Sequence, residues 1–559
     1  MHQQEIYKDK TDYKQYTLPL LIALTFICFL TALGNEFVNI GDDTYLLNNP
    51  LVKSLSFDSI LAMFSMPIGD YQVFRPLVYL SYAIEHSLWG MSAKGYHWTN
   101  VILHLANVVL VFRLANLLTK NYVITLITAL LFAIHPMRVE AVAWVSARTE
   151  VLSAFFLLLS LLQYTQYTLS KSISKIVVAF ICFLLAFLSK PVVIAFPLVF
   201  FLIDYWQERK FSVAVLAEKL PFLLLSIGLG AVMLMGSTPD NVWGDFSLLN
   251  KIVLSFTAIA FYLLAPFAPV DANLSVAHTL PKVVNGLLPM PYYLSILFLV
   301  ALMAVIFFIK KTRKDLLFAV GFVFINVIVV ATILPYGQFV IADRHAYFAH
   351  LGWFILIASA VVGLGNLINK QLMYGVVGIF ALFCAVQTFQ RNQVWKESIM
   401  VWIDVVTKNP EYAYGFFGLG NSQHERKDYG RAIECFNRAI FLEPKFTKAY
   451  YNRGVSFYAA GNFQAASKDF FKTLQDDMEN ADAWLQAAHS FYMMKDYNKA
   501  INSYGQVIRM RPDYYPAYLY RGHSKFAIED KEGACYDFGI VKKAGLPDGE
   551  RLWKEAGCQ

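Results

Sequence analysis

Residues 449–482 read AYYNRGVSFYAAGNFQAASKDFFKTLQDDMENAD, and the same pattern returns three more times at a spacing of 34. An aromatic recurs at Phe416, Tyr450, Trp484 and Tyr518, and a small residue at Gly420, Gly454, Ala488 and Gly522. Alanine holds Ala432, Ala466, Ala500 and Ala534, and a second ring holds Phe436, Phe470, Tyr504 and Phe538. Four positions kept across four units without an insertion define a repeat array.

A 34-residue period of this kind is the spacing of tetratricopeptide (TPR) repeats, each a pair of antiparallel helices that buries its apolar face only by stacking on its neighbours. We place four repeats at 410–559, with Leu552, Trp553 and Ala556 on a capping helix. Tyr414, Phe417, Asn421, Tyr451, Asn452, Gln486, His489, Tyr520 and His523 fall on the first helices of the pairs, the side that lines the groove of such arrays. Amide and aromatic groups there suit an extended protein or peptide held through its backbone.

The 400 residues before the repeats are of another kind. The chain of 559 residues is 57% hydrophobic, with mean hydropathy +0.47, 46 Phe and 32 Tyr, far too apolar for a soluble protein. About 12 apolar runs approach the roughly 20 residues needed to cross a bilayer: 17–33, 101–118, 122–134, 151–167, 176–188, 192–206, 220–235, 252–267, 292–309, 316–334, 352–367 and 373–389. The first has no small-residue cleavage site behind it and reads as a retained span. The fold class is therefore all-α: a polytopic membrane domain over 1–400, then a TPR solenoid.

Basic residues set the sidedness. Lys171 and Lys175, Arg209 and Lys210, and the cluster Lys310, Lys311, Arg313 and Lys314 read as cytoplasmic. Three candidate runs between Arg209 and Lys310 break strict alternation, so one of them, 252–267 or its neighbour, does not cross, leaving about 11 spans. With a cytoplasmic N-terminus, the first loop (34–99), the loop 336–350 and the repeats all lie outside. The net charge of +7 sits almost wholly in the membrane part, since from Pro410 onward there are 20 basic and 19 acidic residues. Nucleic acid is not an expected partner. The six cysteines show neither metal-ligand spacing nor the density of a disulfide scaffold, and they read as packing residues.

The chemistry-bearing residues gather on the outer side. GDDTYLLNNP (41–50) sets Asp42 and Asp43 at a membrane boundary, where a carboxylate serves as general base or metal ligand, or simply solvates a turn. FRPLVYLSYAIEHSLWG (74–90) carries Arg75, and YHWTNVILHLAN (96–107) aligns Asn100, His104 and Asn107 on one helix face, either as an interhelical polar stripe or facing a ligand. HPMRVEAVAWVSARTE (135–150) holds His135, Arg138, Glu140, Arg148 and Glu150, which either pair among themselves or supply a second carboxylate and cations for an anionic head group. SKP (189–191) adds Lys190 without an acidic neighbour in sequence, and DRHAYF (343–348) adds Arg344.

These motifs, in this order and followed by TPRs, resemble the TMTC-type (transmembrane and TPR-repeat-containing) proteins, membrane glycosyltransferases of the GT-C class. The resemblance covers nearly the whole chain. It implies a glycosyltransferase that moves a sugar, mannose in that group, from a polyprenyl- or dolichyl-phosphate co-substrate to protein hydroxyls on the extracytoplasmic side of a plasma, inner or ER membrane. It implies Asp42 and Asp43 as the catalytic acidic pair with Glu140 in support; Arg75, His135, Arg138, Arg148, Lys190 and Arg344 are the candidate donor-binding residues. A divalent metal would assist, but two aspartates in one loop are too few ligands to require it. The family has tyrosine where His345 stands. A lipid- or glycan-modifying relative, and a transporter or non-enzymatic scaffold, are the competing classes; a transporter would show an internal repeat among its spans, and none is evident.

Overall fold

A computed structural model describes residues 2–65, 74–236, 246–271, 274–310, 312–333 and 341–558, so parts of the first loop (66–73) and of the 336–350 loop lie outside the described residues. The described residues are helical throughout, apart from one isolated bridge between Val284 and Leu287. The chain divides into two units, Met1–Asp404 and Val405–Gln559.

In the first unit every apolar run of the sequence has become a helix. Among the described residues, seven helices are long and apolar enough to cross a membrane: Gln15–Gly34, Ala93–Thr119, Val145–Ser170, Leu248–Phe267, Met290–Phe308, Arg313–Ala331 and Lys370–Trp395. Two bent pairs raise the number to nine if each is one span: Tyr122–Ile134 with Pro136–Ala143, bent by 57°, and Asp343–Ala349 with Leu351–Leu367, bent by 61°. The first bend falls at Pro136, which has no N–H to continue the ladder and clashes with the preceding turn. Three further apolar helices, Ile173–Ser189, Pro197–Trp206 and Leu220–Gly236, are shorter within the described residues, which stop at 236 in the last case. Among the three runs between Arg209 and Lys310, 252–267 lies on a helix of full spanning length, Leu248–Phe267.

The polar stripe of the second spanning helix ties the bundle together. Asn100 donates to the carbonyls of Val142 (3.3 Å) and Trp144 (3.0 Å), and Asn107 donates to that of Val151 (2.9 Å). His104 lies between the Tyr347 hydroxyl (2.7 Å) and the Ala133 carbonyl (3.0 Å). Each of these groups is fully buried and each replaces water with a partner on another helix.

The second unit consists of four helix pairs. The first helices are Ala413–Glu425, Thr447–Ala459, Ala481–Met493 and Tyr515–Ala527; the second are Tyr429–Leu442, Phe463–Asp476, Tyr497–Met510 and Lys531–Lys543. The 34-residue register has a steric cause. A Cβ at Gly420 would lie 2.7 Å from Phe436, one at Gly454 would lie 2.9 Å from Phe470, and one at Gly522 would lie 2.6 Å from Phe538. The ring 16 residues on therefore occupies the space that a side chain would need. A second period escapes inspection of apolar residues: Asp428, Asn462, Asp496 and Asp530 each cap a second helix by accepting from the amide three residues on. Phe417, a position that reads as either core or groove, is core, 8% exposed and packed on Phe436 and Phe446.

One cysteine expectation is overturned. Cys535 and Cys558 form a disulfide with Cα atoms 5.5 Å apart, joining the fourth repeat to the residues just past the helix Pro547–Glu555. The spacing of 23 residues conceals a contact that exists because this helix packs back on Lys531–Lys543, burying Leu552 and Ala556 against Ala534 and Phe538. The other four cysteines are free, and Cys28, Cys182 and Cys384 are buried packing residues.

Because the glycine and the ring interlock, Gly454→Val should overpack the second repeat, a change that costs about 1–3 kcal/mol. The expected result is a lowered thermal midpoint for the repeats, read by the near-ultraviolet signal of their aromatics. An unchanged midpoint would show that the helices separate freely at this point.

Candidate functional site

The acidic loop is rigid at one carboxylate and open at the next. Residues 35–42 run back along the 395–398 segment, with the Glu36 amide donating to the Lys396 carbonyl (2.8 Å) and the Asn39 amide to Ser398 Oγ (3.0 Å). Gly41 turns the chain at φ +136°, where a Cβ would stand 3.2 Å from both Trp144 and Tyr45. Asp42 is fully buried beyond that turn. Its carboxyl accepts from the Val38 amide (2.9 Å), the Ser146 amide (2.9 Å) and the Ser146 hydroxyl. Burial pushes its pKa up to about 6, against the pull of those Ser146 and Val38 hydrogen bonds.

Asp43 differs. It is half-buried, and one oxygen accepts from the Gly41 amide (3.1 Å) while the other has no hydrogen-bond partner among the described residues. Beside it, Tyr45 lies under Arg75, whose guanidinium carbon is 3.8 Å from the ring centroid. Arg75 is 5% exposed, donates through Nε to the Tyr79 hydroxyl (3.4 Å), and has no carboxylate partner among the described residues. A cation held by ring faces rather than by a carboxylate keeps its N–H groups for an anion.

Trp144 connects this loop to a second cluster. Its ring meets Gly41 on one side, and the Arg344 guanidinium lies 5.4 Å from its centroid. Arg344 in turn occupies both oxygens of Glu140, through its amide (2.7 Å) and Nη1 (2.6 Å). The next residue, His345, presents Nδ1 to Glu150 (3.2 Å), and Lys190 holds the other Glu150 oxygen (2.6 Å). Glu150, Lys190, His345 and Asn326 line a small cavity of about 30 Å³.

Several expected donor contacts are corrected. Arg148 is fully buried and satisfied by Glu85 (2.5 Å), Asn100 (2.8 Å), the Tyr96 carbonyl (2.8 Å) and Ser81 (3.1 Å), which leaves it a structural cation. Arg138 is equally enclosed, donating to the Ala346 carbonyl (2.7 Å) and hydrogen-bonded to His350 (3.2 Å), with the rings of Phe132, Tyr347 and Phe354 around it. His135 is buried beside the Pro266 carbonyl (3.3 Å). Both oxygens of Glu140 are engaged by Arg344. Lys190 is not unpaired, since Glu150 faces it across 40 residues of sequence. The charges of 135–150 do not pair among themselves: each finds its partner on a different element. His345, Asn326 and Ser146 enter the site without having been singled out as site residues, and Glu150, weighed only as one of the charges of 135–150, pairs with Lys190 and His345. Their signal in the sequence was weak, a polar residue near an apolar run, and only the fold supplies the partner. No group of three or more His, Cys, Asp or Glu among the described residues is arranged to hold a metal ion.

In the repeat unit, the predicted groove residues make a partial ladder. Asn452 donates to Asn421 (2.7 Å), and His489 meets the Tyr504 hydroxyl (2.8 Å) and packs edge-on against Tyr520. Tyr451 and His523 pack edge-on against Phe470 and Phe538. These residues, with Tyr414 and Gln486, are half-buried.

Asp42 favours its proton more in the folded loop than in the open chain. The stability that it contributes is therefore fully present below about pH 4 and is lost as pH rises through about 6. Hydrogen-exchange protection of the Val38 and Ser146 amides, corrected for intrinsic rates, should fall over that window, and Asp42→Asn should flatten the profile. A wild-type profile that is already flat would contradict it.

The comparisons with known proteins agree with this division. The tetratricopeptide-repeat family matches residues 420–461 and 481–514. The human protein named Protein O-mannosyl-transferase TMTC3 is 23% identical over 506 residues, covering 81% of this chain and 54% of that one. The Xenopus laevis Protein O-mannosyl-transferase tmtc2 is 22% identical over 530 residues, covering 77% and 63%. Mouse Protein O-mannosyl-transferase TMTC1 is 33% identical over a shorter stretch of 154 residues, 26% of this chain and 16% of that one. Among solved structures, the crystal structure of MamA protein aligns with 27% of this chain and 85% of its own at 21% identity and a TM-score of 0.24. The chain spans about half the length of the first of these relatives. It is similar to the TMTC proteins over about four fifths of its length, and its C-terminal unit carries tetratricopeptide repeats.

Proposed function

We propose that the chain is a membrane glycosyltransferase that moves mannose from a polyprenyl- or dolichyl-phosphate carrier to serine or threonine hydroxyls of protein on the extracytoplasmic side. The observation that carries the reading is the division of labour in the 41–47 loop. Asp42 is consumed by three hydrogen bonds and fixes the turn, while Asp43, the next residue, keeps one oxygen without a partner among the described residues, in the same loop whose Tyr45 ring holds Arg75. A serine hydroxyl is a poor nucleophile until a carboxylate within hydrogen-bond reach takes its proton. In this reading Asp43 takes it as the oxygen attacks the sugar carbon, inverting the anomeric centre. The phosphate leaves against a cation, for which Arg75 is suited, and needs no general acid. The names of the relatives, all Protein O-mannosyl-transferases, support the sugar and the acceptor. The repeats hold acceptor protein and do no chemistry.

The Cys535–Cys558 disulfide supports the sidedness, because such bonds persist in oxidising compartments. It adds an observation independent of the basic clusters.

Asp43→Asn keeps the shape of the side chain and removes the proton acceptor. Turnover of polyprenyl-phosphate mannose with a peptide acceptor should fall by roughly 10²–10⁴ while donor affinity holds. Near-native turnover in folded Asp43→Asn protein would move the base elsewhere, and if Asp42→Asn also retained turnover, the transporter or scaffold class would gain. Cysteines introduced at Ser54 and Lys472 should both react with a membrane-impermeant maleimide in intact cells or spheroplasts. Labelling at one position but not the other would defeat the shared sidedness.

A further inference from the structure

The helix Leu248–Phe267 is long and apolar enough to cross a membrane, yet both of its ends touch segments of the outer side. Near its C-terminal end the Tyr262 hydroxyl donates to the Ala342 carbonyl (3.1 Å) and accepts from the Ala342 amide (3.0 Å), and the Pro266 carbonyl lies 3.3 Å from His135 Nε2. At its N-terminal end the Asn250 side chain donates to the Gly286 carbonyl (3.0 Å), and Val253 and Leu254 pack on Leu288. Gly286 stands just before Met290–Phe308, a helix of spanning length that runs into the basic cluster Lys310, Lys311, Arg313 and Lys314. With that cluster cytoplasmic, Met290 and the turn before it are outer. The segment joining the two helices agrees. It returns along Leu248–Phe267, from His278 packed edge-on against Phe261 to Gly286 beside Asn250. Asn285 and Gly286, at φ +51° and +79°, form a type I′ turn closed by backbone bonds between Val284 and Leu287 (2.9 and 3.1 Å). Lys282 and Asn285 are exposed there, and an exposed non-helical backbone is not sustained in hydrocarbon.

A helix whose two ends share one side does not cross, which also removes the odd count of three runs between Arg209 and Lys310. The face that it turns outward is nevertheless apolar along its length. Leu249, Ile252, Phe256, Leu264 and Phe267 are exposed, and helical spacing places them on one side. The turn adds Val284, 65% exposed, and Leu287, 52% exposed, and the surface continues into exposed Met290, Leu294 and Leu297 on the spanning helix. We propose that Leu248–Phe267 and the turn at 283–290 form a monotopic anchor that lies in the outer leaflet, with its apolar face sunk roughly 5–10 Å into the boundary between head groups and acyl chains. The lipid surface is the occupant because the patch is continuous with the lipid-facing side of Met290–Phe308. The anchor also bears on the candidate site: on the return segment, the Ser275 amide and the His278 ring hold the carboxylate of Asp343 (3.1 and 2.8 Å), the neighbour of Arg344. The inference rests on the sidedness in the function proposed above.

Two measurements on the full-length chain test it. In nanodiscs, nitroxides on Leu249→Cys, Phe256→Cys and Leu264→Cys should all collide more often with oxygen than with a water-soluble nickel chelate, and should report a common shallow depth. A depth that changes by about 22 Å from the first to the last, the rise of a crossing helix, would overturn the inference, as would a preference for nickel at all three. In intact cells or spheroplasts, Ser247→Cys, Val270→Cys and Asn285→Cys should each react with a membrane-impermeant maleimide above the wild-type background, and Lys310→Cys only after permeabilisation. Reaction of Ser247→Cys and Val270→Cys from opposite sides would overturn the inference and leave the proposed sidedness standing. Reaction of Lys310→Cys from outside, with the other three shielded, would refute that sidedness, and the outer placement of the anchor would fall with it.

Discussion

An ion buried among helices in hydrocarbon must find its counter-charge or its hydrogen bonds inside the protein, and this requirement organises the whole first unit. Arg148 meets it with one carboxylate, one amide, one hydroxyl and one carbonyl. Arg138 meets it without any carboxylate, through a carbonyl, an imidazole and three ring faces. Because the partners sit on different helices, each ion fixes the placement of two or three elements at once. Removing one partner of such a pair leaves an uncompensated charge, the costly kind of change in a low-dielectric interior. The candidate site rests on this scaffold: Ser146, which holds Asp42, lies two residues before Arg148 and six after Glu140.

Within that scaffold, the two carboxylates of one dipeptide have opposite roles. The backbone amides of Val38 and Ser146 converge on Asp42, which is buried and fixes the turn. Asp43, half-buried past the turn at Gly41, makes one side-chain hydrogen bond, to the Gly41 amide. A preorganised loop of this kind avoids reorganisation when charge develops nearby.

The repeats were legible in the sequence because their information is local: ring, small residue and alanine recur within one helix pair. The apolar runs were legible too, and all 12 lie on helices, though two, Ile173–Ser189 and Pro197–Trp206, are short for a bilayer. The polar stripe Asn100, His104 and Asn107 could be placed on one face by periodicity alone, but its partners at Ala133, Val142, Val151 and Tyr347 could not. The same limit applies to the site. Glu150 and Lys190 stand 40 residues apart, and Glu150 and His345 stand 195 apart, so no spacing rule joins them. Cys535 and Cys558 were hidden for a related reason: their contact depends on a helix folding back, which composition does not record.

The pairing of glycine with the ring 16 residues later has a consequence for how such an array changes over generations. Both halves of the lock lie inside one 34-residue segment, so a duplicated segment arrives with its own fit already made. The helix caps at Asp428, Asn462, Asp496 and Asp530 travel in the same segment. Copies can therefore be gained or lost as whole cassettes, and the length of the array is free to vary among relatives without compensating change in the segments that remain.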